Sequence, residues 1–273
     1  MTNQDPTSNS DRAQNEGPDP KQQSYISHLI ELRGRLLRAL AALFILLLAL
    51  MPFSNYLYAW LAAPLMAHLP GETSMIATQV ASPFLAPFKL TLFVSFLIGA
   101  PYIFYQVWAF VAPGLYLHER RLVLPLMISS TLLFYLGIVF AYFVVFPLVF
   151  GFFTAVAPEG VTIMTDISHY LDFVLKLFFA FGAAFEVPVA TYLVVRTGIT
   201  TVDDLSKKRP YLIVAAFTVG MLLTPPDVVS QTLLAIPVWI LYELGLLLCR
   251  MTNTTGEEDL DDEEREVGQP ASD

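Results

Sequence analysis

Over windows of twenty residues and more this chain carries almost no charge, and a polypeptide that does so repeatedly has to bury those windows in hydrocarbon. About 20 predominantly apolar residues are needed to cross a bilayer core. Runs of that kind lie near residues 36–56, 84–109, 122–147, 169–194, 210–223 and 229–248. A soluble helix would instead show a charged face every three or four residues. Only 14% of this chain is charged, against about 25% in ordinary globular proteins, and its mean hydropathy is +0.59. The pattern predicts an all-α, polytopic membrane protein with six transmembrane helices in a kinked, concave bundle with short fifth and sixth helices. At 1.5 Å per residue, a fifth span of ~14 residues covers about 21 Å of a ~30 Å core, so local bilayer thinning is expected.

The flanks divide into three regions. Residues 1–23 are rich in Asn, Gln, Ser, Pro and Asp and read as a disordered tail, with no cleavable signal peptide ahead of the first span. Residues 24–250 form the six-helix domain. Residues 251–273 hold most of the acidic excess behind the net charge of -9, from Glu257 to Asp273, and read as a solvated, disordered acidic tail. Cytoplasmic loops are enriched in Lys and Arg. With six spans, 13 of the 15 cationic residues fall on the side of the N-terminus, among them Arg33, Arg35, Arg38, Arg120, Arg121, Arg196, Lys207, Lys208, Arg209 and Arg250. Both termini are therefore expected in the cytoplasm. Pro101, Pro125, Pro147, Pro188 and Pro237 sit in or at the ends of spans, where each should kink or end its helix. Thr224-Pro225-Pro226-Asp227 leaves room only for a tight hairpin between spans five and six.

Reagents for catalysis are few. The four histidines stand apart, and no His-Glu-x-x-His, Gly-x-Ser-x-Gly or phosphate-cradling loop occurs, so no enzyme activity, metal or cofactor is expected. Cys249 is lone and excludes a disulfide framework. What remains is a set of carboxylates in costly places. Glu186 lies near the middle of span four, where an ionisable group is a functional candidate by default; the alternative is a hydrogen bond to backbone freed by Pro188. Asp172 and Lys176 are four apart and expected to neutralise each other. Glu243 is expected to reach Arg250 or water. Glu31 and Glu119 stand among basic residues, either as cation acceptors or as local ion pairs with Arg33, Arg35 or Arg120.

Seven ordered segments resemble the TatC family of twin-arginine translocase proteins. They are His28-Leu29-Ile30-Glu31-Leu32-Arg33, Ala63-Pro64-Leu65, Tyr105-Gln106-Val107-Trp108-Ala109-Phe110, Pro113-Gly114-Leu115-Tyr116 with Glu119-Arg120-Arg121, Phe185-Glu186-Val187-Pro188, Lys207-Lys208-Arg209-Pro210-Tyr211 and Thr224-Pro225-Pro226-Asp227. The resemblance covers residues 25 to about 250. It implies a receptor and scaffold that binds Arg-Arg signal peptides of folded precursors and organises TatA-like and TatB-like single-span subunits in a multimeric complex, driven by the proton gradient. Glu31 and Glu119 match positions that recognise the arginine pair, with Arg33 and Phe110 in the same patch. Glu186 matches a buried glutamate of the family, and Met221, Thr224 and Gln231 match its contact surface for partner helices. Membrane lipid is the remaining expected partner, and nucleic acid is not one. The alternative is a proton-coupled secondary transporter of a small solute that relays protons through Glu186.

Overall fold

Ten α-helices carry nearly all of the residues that the computed structural model describes, namely 20–68, 76–111, 123–156, 166–223 and 228–267. In chain order they are α1 (Pro20–Leu50), α2 (Ser54–His68), α3 (Ser82–Val111), α4 (Val123–Phe140), α5 (Phe146–Ala155), α6 (Ile167–Ala184), α7 (Val187–Arg196), α8 (Val202–Lys207), α9 (Arg209–Leu223) and α10 (Val228–Val267). Five helical stretches are long and apolar enough to cross a membrane: His28–Leu61, Ser82–Val111, Leu124–Phe153, Ile167–Arg196 and Gln231–Met251. The remaining apolar helix, Arg209–Leu222 in α9, is shorter.

The fifth expected span is thus short, but the sixth is not. It belongs to α10, which at 40 residues is the longest helix described. Its backbone stays helical to Val267, where an irregular tail is expected from residue 251. Glu, Leu and Arg between 257 and 266 are good helix formers, and adding residues to an existing helix avoids the cost of a new nucleus. At the other end α1 begins at Pro20, ahead of the expected boundary, with proline at a first helical position where its missing N–H is no loss. Residues 1–19 and 224–227 lie outside the described residues.

Proline acts in two ways. Helices α3 and α10 run continuously through Pro87, Pro101 and Pro237. Elsewhere the backbone yields: a 3-10 turn at Met51–Phe53 accommodates Pro52, a π-helical turn at Ala141–Val145 precedes Pro147, and a turn at Phe185–Glu186 precedes Pro188. At this last break Glu186 N–H donates to the Ala183 carbonyl at 3.1 Å, three residues back, and α7 restarts beyond it. A proline cannot donate to the carbonyl four residues earlier, so the chain tightens where that bond is missing.

The core lies where α4 and α5 cross α6. Two groups of ring contacts lie there, Phe140 with Phe181 and Phe185, and Tyr142 and Phe146 with Phe178 and Tyr170. Two glycines permit the approach. A Cβ on Gly137 would stand 2.5 Å from the Phe181 carbonyl oxygen, and one on Gly182 would stand 2.5 Å from the Phe134 ring. Polar ties fix the neighbours: Tyr135 donates to the Leu97 carbonyl at 2.6 Å, and Lys89 of α3 binds Asp172 of α6 at 2.7 Å. The latter replaces the expected Asp172–Lys176 pair. An i,i+4 spacing allows a pair on one helix, but α3 and α6 run side by side here and bring Lys89 to the same carboxylate.

At the end of α6 that opens the fourth span, Asp166 joins two loops. Its Oδ1 caps α6 by accepting from the Ser168 and His169 amides at 2.9 and 3.1 Å, and its Oδ2 accepts from the Thr78 hydroxyl and amide at 2.6 and 2.9 Å. The Ile167 amide donates to the Ile76 carbonyl at 2.9 Å. The Thr78 hydroxyl first, and then the Thr78, His169 and Ser168 amides, hold the Asp166 carboxyl well below the usual carboxylate range against the effect of its burial.

Two outcomes follow from this packing. Gly137→Ala should destabilise the protein in detergent by about 1–3 kcal/mol through backbone overpacking, whereas Gly151→Ala, with nothing within 4 Å of a new Cβ, should not; equal stability of both variants contradicts the close crossing. Because folding depresses the Asp166 pKa, its contribution is present above the unfolded value near 4 and is lost as pH falls through and below it. Thermal unfolding midpoints should therefore fall more steeply from about pH 5 to about pH 3 in the wild type than in Asp166→Asn, and parallel curves would count against the clasp.

Candidate functional site

The N-terminal part of α1 meets the C-terminal end of α3, because the two helices pack antiparallel. His28 stacks on Phe110 with ring centroids 4.2 Å apart and planes 23° from parallel. One helical turn along α1, Glu31 accepts on Oε1 from Arg35 Nε at 2.9 Å and Nη2 at 2.6 Å. Its Oε2 faces His28 Nδ1 at 3.9 Å, too far for a hydrogen bond. The Glu31 side chain is 35% exposed and that of Arg35 19%, so the carboxylate is reachable from solvent while its partner lies further in.

Of the expected patch, Glu31 and Phe110 come together through His28. Arg33 is exposed but stands two residues from Glu31, about 200° around the helix, and does not join it. Glu119 lies outside the described residues. Among the three arginines offered as bland partners for Glu31, the structure selects Arg35, as an i,i+4 pair with Glu first favours. His28 completes this corner by joining Phe110 to Glu31. Its only signal in the sequence was its place in the His28-Leu29-Ile30-Glu31-Leu32-Arg33 segment, three residues before Glu31.

A second polar cluster sits inside the bundle. Glu186 is placed by the α6–α7 break so that its carboxyl lies near Ser130 of α4, and the Ser130 hydroxyl accepts from Trp108 Nε1 of α3 at 3.3 Å. Ser130 is 1% exposed and Trp108 6%. The Oε1 atom of Glu186 is buried with no hydrogen-bond partner, as is Oε1 of Gln106. Burying a polar atom without a partner is unfavourable, so Glu186 is held by the fold rather than by its own bonds. The expected alternative, a bond from Glu186 to backbone freed by Pro188, is not among the described hydrogen bonds. Nothing in local sequence pointed to Ser130, which reaches this cluster only through the α4–α6 crossing.

Around α9 and α10, Arg209 binds Glu243 with two nitrogens on two oxygens, at 2.5 and 2.8 Å. This replaces the expected Glu243–Arg250 contact; Arg250 Nη2 donates to Ser206 Oγ at 3.2 Å. The short α9 packs antiparallel on α10, which puts Arg209 level with Glu243 and Gly220 beside Gln231. Met221 is 53% exposed, next to this crossing, whereas Thr224 lies outside the described residues. Among the described residues no group of three His, Cys, Asp or Glu side chains is arranged to hold a metal ion. The chemistry on offer is ionic: a half-exposed carboxylate beside an aromatic pair, and a half-buried carboxyl in the bundle.

Comparison with known proteins follows the same ground. A sequence profile for "Sec-independent protein translocase protein (TatC)" matches residues 27–237. The TatC protein of Azotobacter chroococcum mcd 1 is 61% identical over 221 residues, covering 81% of this chain and 87% of that protein. The TatC protein of Escherichia coli K12 is 60% identical over 228 residues, covering 84% and 88%. A crystal structure of the twin arginine translocase receptor TatC superposes with a TM-score of 0.75 at 39% identity, covering 83% of this chain and 99% of that one.

Proposed function

The chain belongs to the TatC family of Sec-independent protein translocase proteins, and from that premise we propose that it is the receptor that takes the arginine pair of a signal peptide at Glu31 and Glu119. It is a multi-pass membrane subunit of the twin-arginine translocase and acts in complex with other components of that system. Family membership replaces the solute-transporter alternative.

The observation that carries the binding proposal is Glu31: a solvent-reachable carboxylate beside the His28–Phe110 stack, with one oxygen not engaged by Arg35. A guanidinium forms two parallel charge-assisted bonds to a carboxylate, and a lysine ammonium is a single point charge that cannot copy that fork. A preference for Arg-Arg over Lys-Lys follows from the geometry of the acceptor. Glu119 is proposed as the second acceptor, and Arg33 as an exposed flank of the patch.

The finer arrangement belongs to the same proposal. The chain crosses the bacterial inner membrane six times, with α9 as the fifth and shortest span and both termini in the cytoplasm, as the placement of 13 of 15 cationic residues on one side supports. Residues 24–250 are the membrane domain between two cytoplasmic tails. TatA-like and TatB-like single-span helices are proposed to meet Met221, Thr224 and Gln231, where small polar groups act as interhelical ties usually worth about 1 kcal/mol. Glu186, with a buried oxygen lacking a partner, is proposed to receive a polar group from a partner helix or from the peptide when the complex is active.

Titration of the purified protein in detergent with an Arg-Arg signal peptide and its Lys-Lys counterpart tests the reading. The Arg-Arg peptide should bind about tenfold tighter, and Glu31→Ala or Glu119→Ala should each weaken it by a similar factor, the scale of a lost hydrogen bond to a charged group. Equal affinity for the two peptides, or wild-type affinity in both variants, would move the arginine site elsewhere.

A further inference from the structure

Glu31 already holds a guanidinium. Both nitrogens that Arg35 offers, Nε at 2.9 Å and Nη2 at 2.6 Å, converge on Oε1, and Oε2 is left facing His28. We propose that Arg35 is a built-in stand-in for the peptide's arginine: it occupies Glu31 while the site is empty, is exchanged for the incoming guanidinium, and so sets the affinity of the site. This rests on the reading of Glu31 as an arginine acceptor and adds the device that regulates it.

Geometry makes the two arginines competitors. A fork needs both carboxylate oxygens, and Arg35 has taken one of them with two N–H groups. An arriving arginine meets Oε2 first, since Glu31 is more exposed than Arg35, and completes its fork only as Arg35 leaves Oε1. The exchange is like for like, so the carboxylate keeps a guanidinium partner throughout. It is also easy, because a partly exposed i,i+4 pair is a weak interaction. Electrostatics point the same way. From Glu31 to Arg38 the helix carries Arg33, Arg35 and Arg38 against Glu31, so a dicationic peptide approaches a positive surface, and Arg35 is the cation in contact with the acceptor itself. A residue that merely oriented Glu31 would help binding; a stand-in opposes it.

The same detergent titration with the Arg-Arg peptide, on the full chain, separates these roles. Arg35→Gln keeps a side-chain N–H donor and a good helix former but removes the charge; it should bind the peptide about fivefold tighter, the upper end for release of such a pair. Arg35→Lys, which cannot place two nitrogens on Oε1, should gain less, and it serves as the second variant if Arg35→Gln does not purify as a monodisperse protein. In the Glu31→Gln background, the gain from Arg35→Gln should vanish, because the competition acts through Glu31. Weaker or unchanged binding by Arg35→Gln overturns the proposal, as does weaker binding by Arg35→Lys. So does an equal gain in the Glu31→Gln background, which would reduce Arg35 to one cation among several. If Glu31→Gln alone leaves affinity untouched, the acceptor reading itself has failed, and with it the stand-in.

Discussion

A charge in hydrocarbon is stable only when something answers it, and the few charges in this chain's apolar stretches organise much of its packing. Lys89 and Asp172 tie α3 to α6, and Arg209 and Glu243 tie the short α9 to α10. The partners of each pair stand more than thirty residues apart in sequence and on different helices, so each is also a statement about which helices lie together. Glu186 breaks the rule. The α6–α7 break carries its carboxyl near Ser130 and leaves a buried oxygen without a partner, in a region where ring contacts and the Gly137 and Gly182 crossings leave little freedom to relax. Asp172 and Glu243 each meet a cation, whereas Glu186 keeps a buried oxygen without a hydrogen-bond partner.

The two ends of the bundle are built differently. At the Asp166 end, one carboxylate caps α6 and binds residue 78 with four hydrogen bonds in all, which gives a closed polar seam between two loops. At the other end α1 rests mainly on α3. On α1 the His28–Phe110 stack reaches across to α3 and the Glu31–Arg35 pair stays within the helix, while Arg209–Glu243 and Arg250–Ser206 tie α8, α9 and α10 on the far side of the same end.

Much of this was legible in the sequence, because hydrocarbon leaves few choices: long uncharged runs become helices, and five of the six expected runs coincide with stretches long enough to span. The Phe185-Glu186-Val187-Pro188 segment announced a break, and the turn at Phe185–Glu186 is that break. What the sequence concealed is whatever depends on helix order. Lys89 was invisible as the partner of Asp172 because Lys176 satisfied the spacing rule on the same helix. Arg209 was passed over for Glu243 in favour of the nearer Arg250. Ser130 had no local mark at all. The length of α10 was misjudged for another reason: acidity was read as disorder, whereas the glutamates there also extend a helix that hydrophobic packing has already started.

The claim at the centre is that a peptide's arginines arrive at the His28, Glu31 and Phe110 corner. Photocrosslinking reads this most directly, with a photoreactive residue at position 28 or 110 in one set of proteins and at position 221 in another, each mixed with Arg-Arg or Lys-Lys signal peptide. The account predicts crosslinks from 28 and 110 to residues beside the arginine pair, lost with the Lys-Lys peptide. Crosslinks to the arginine region from 221, with none from 28 or 110, would contradict it.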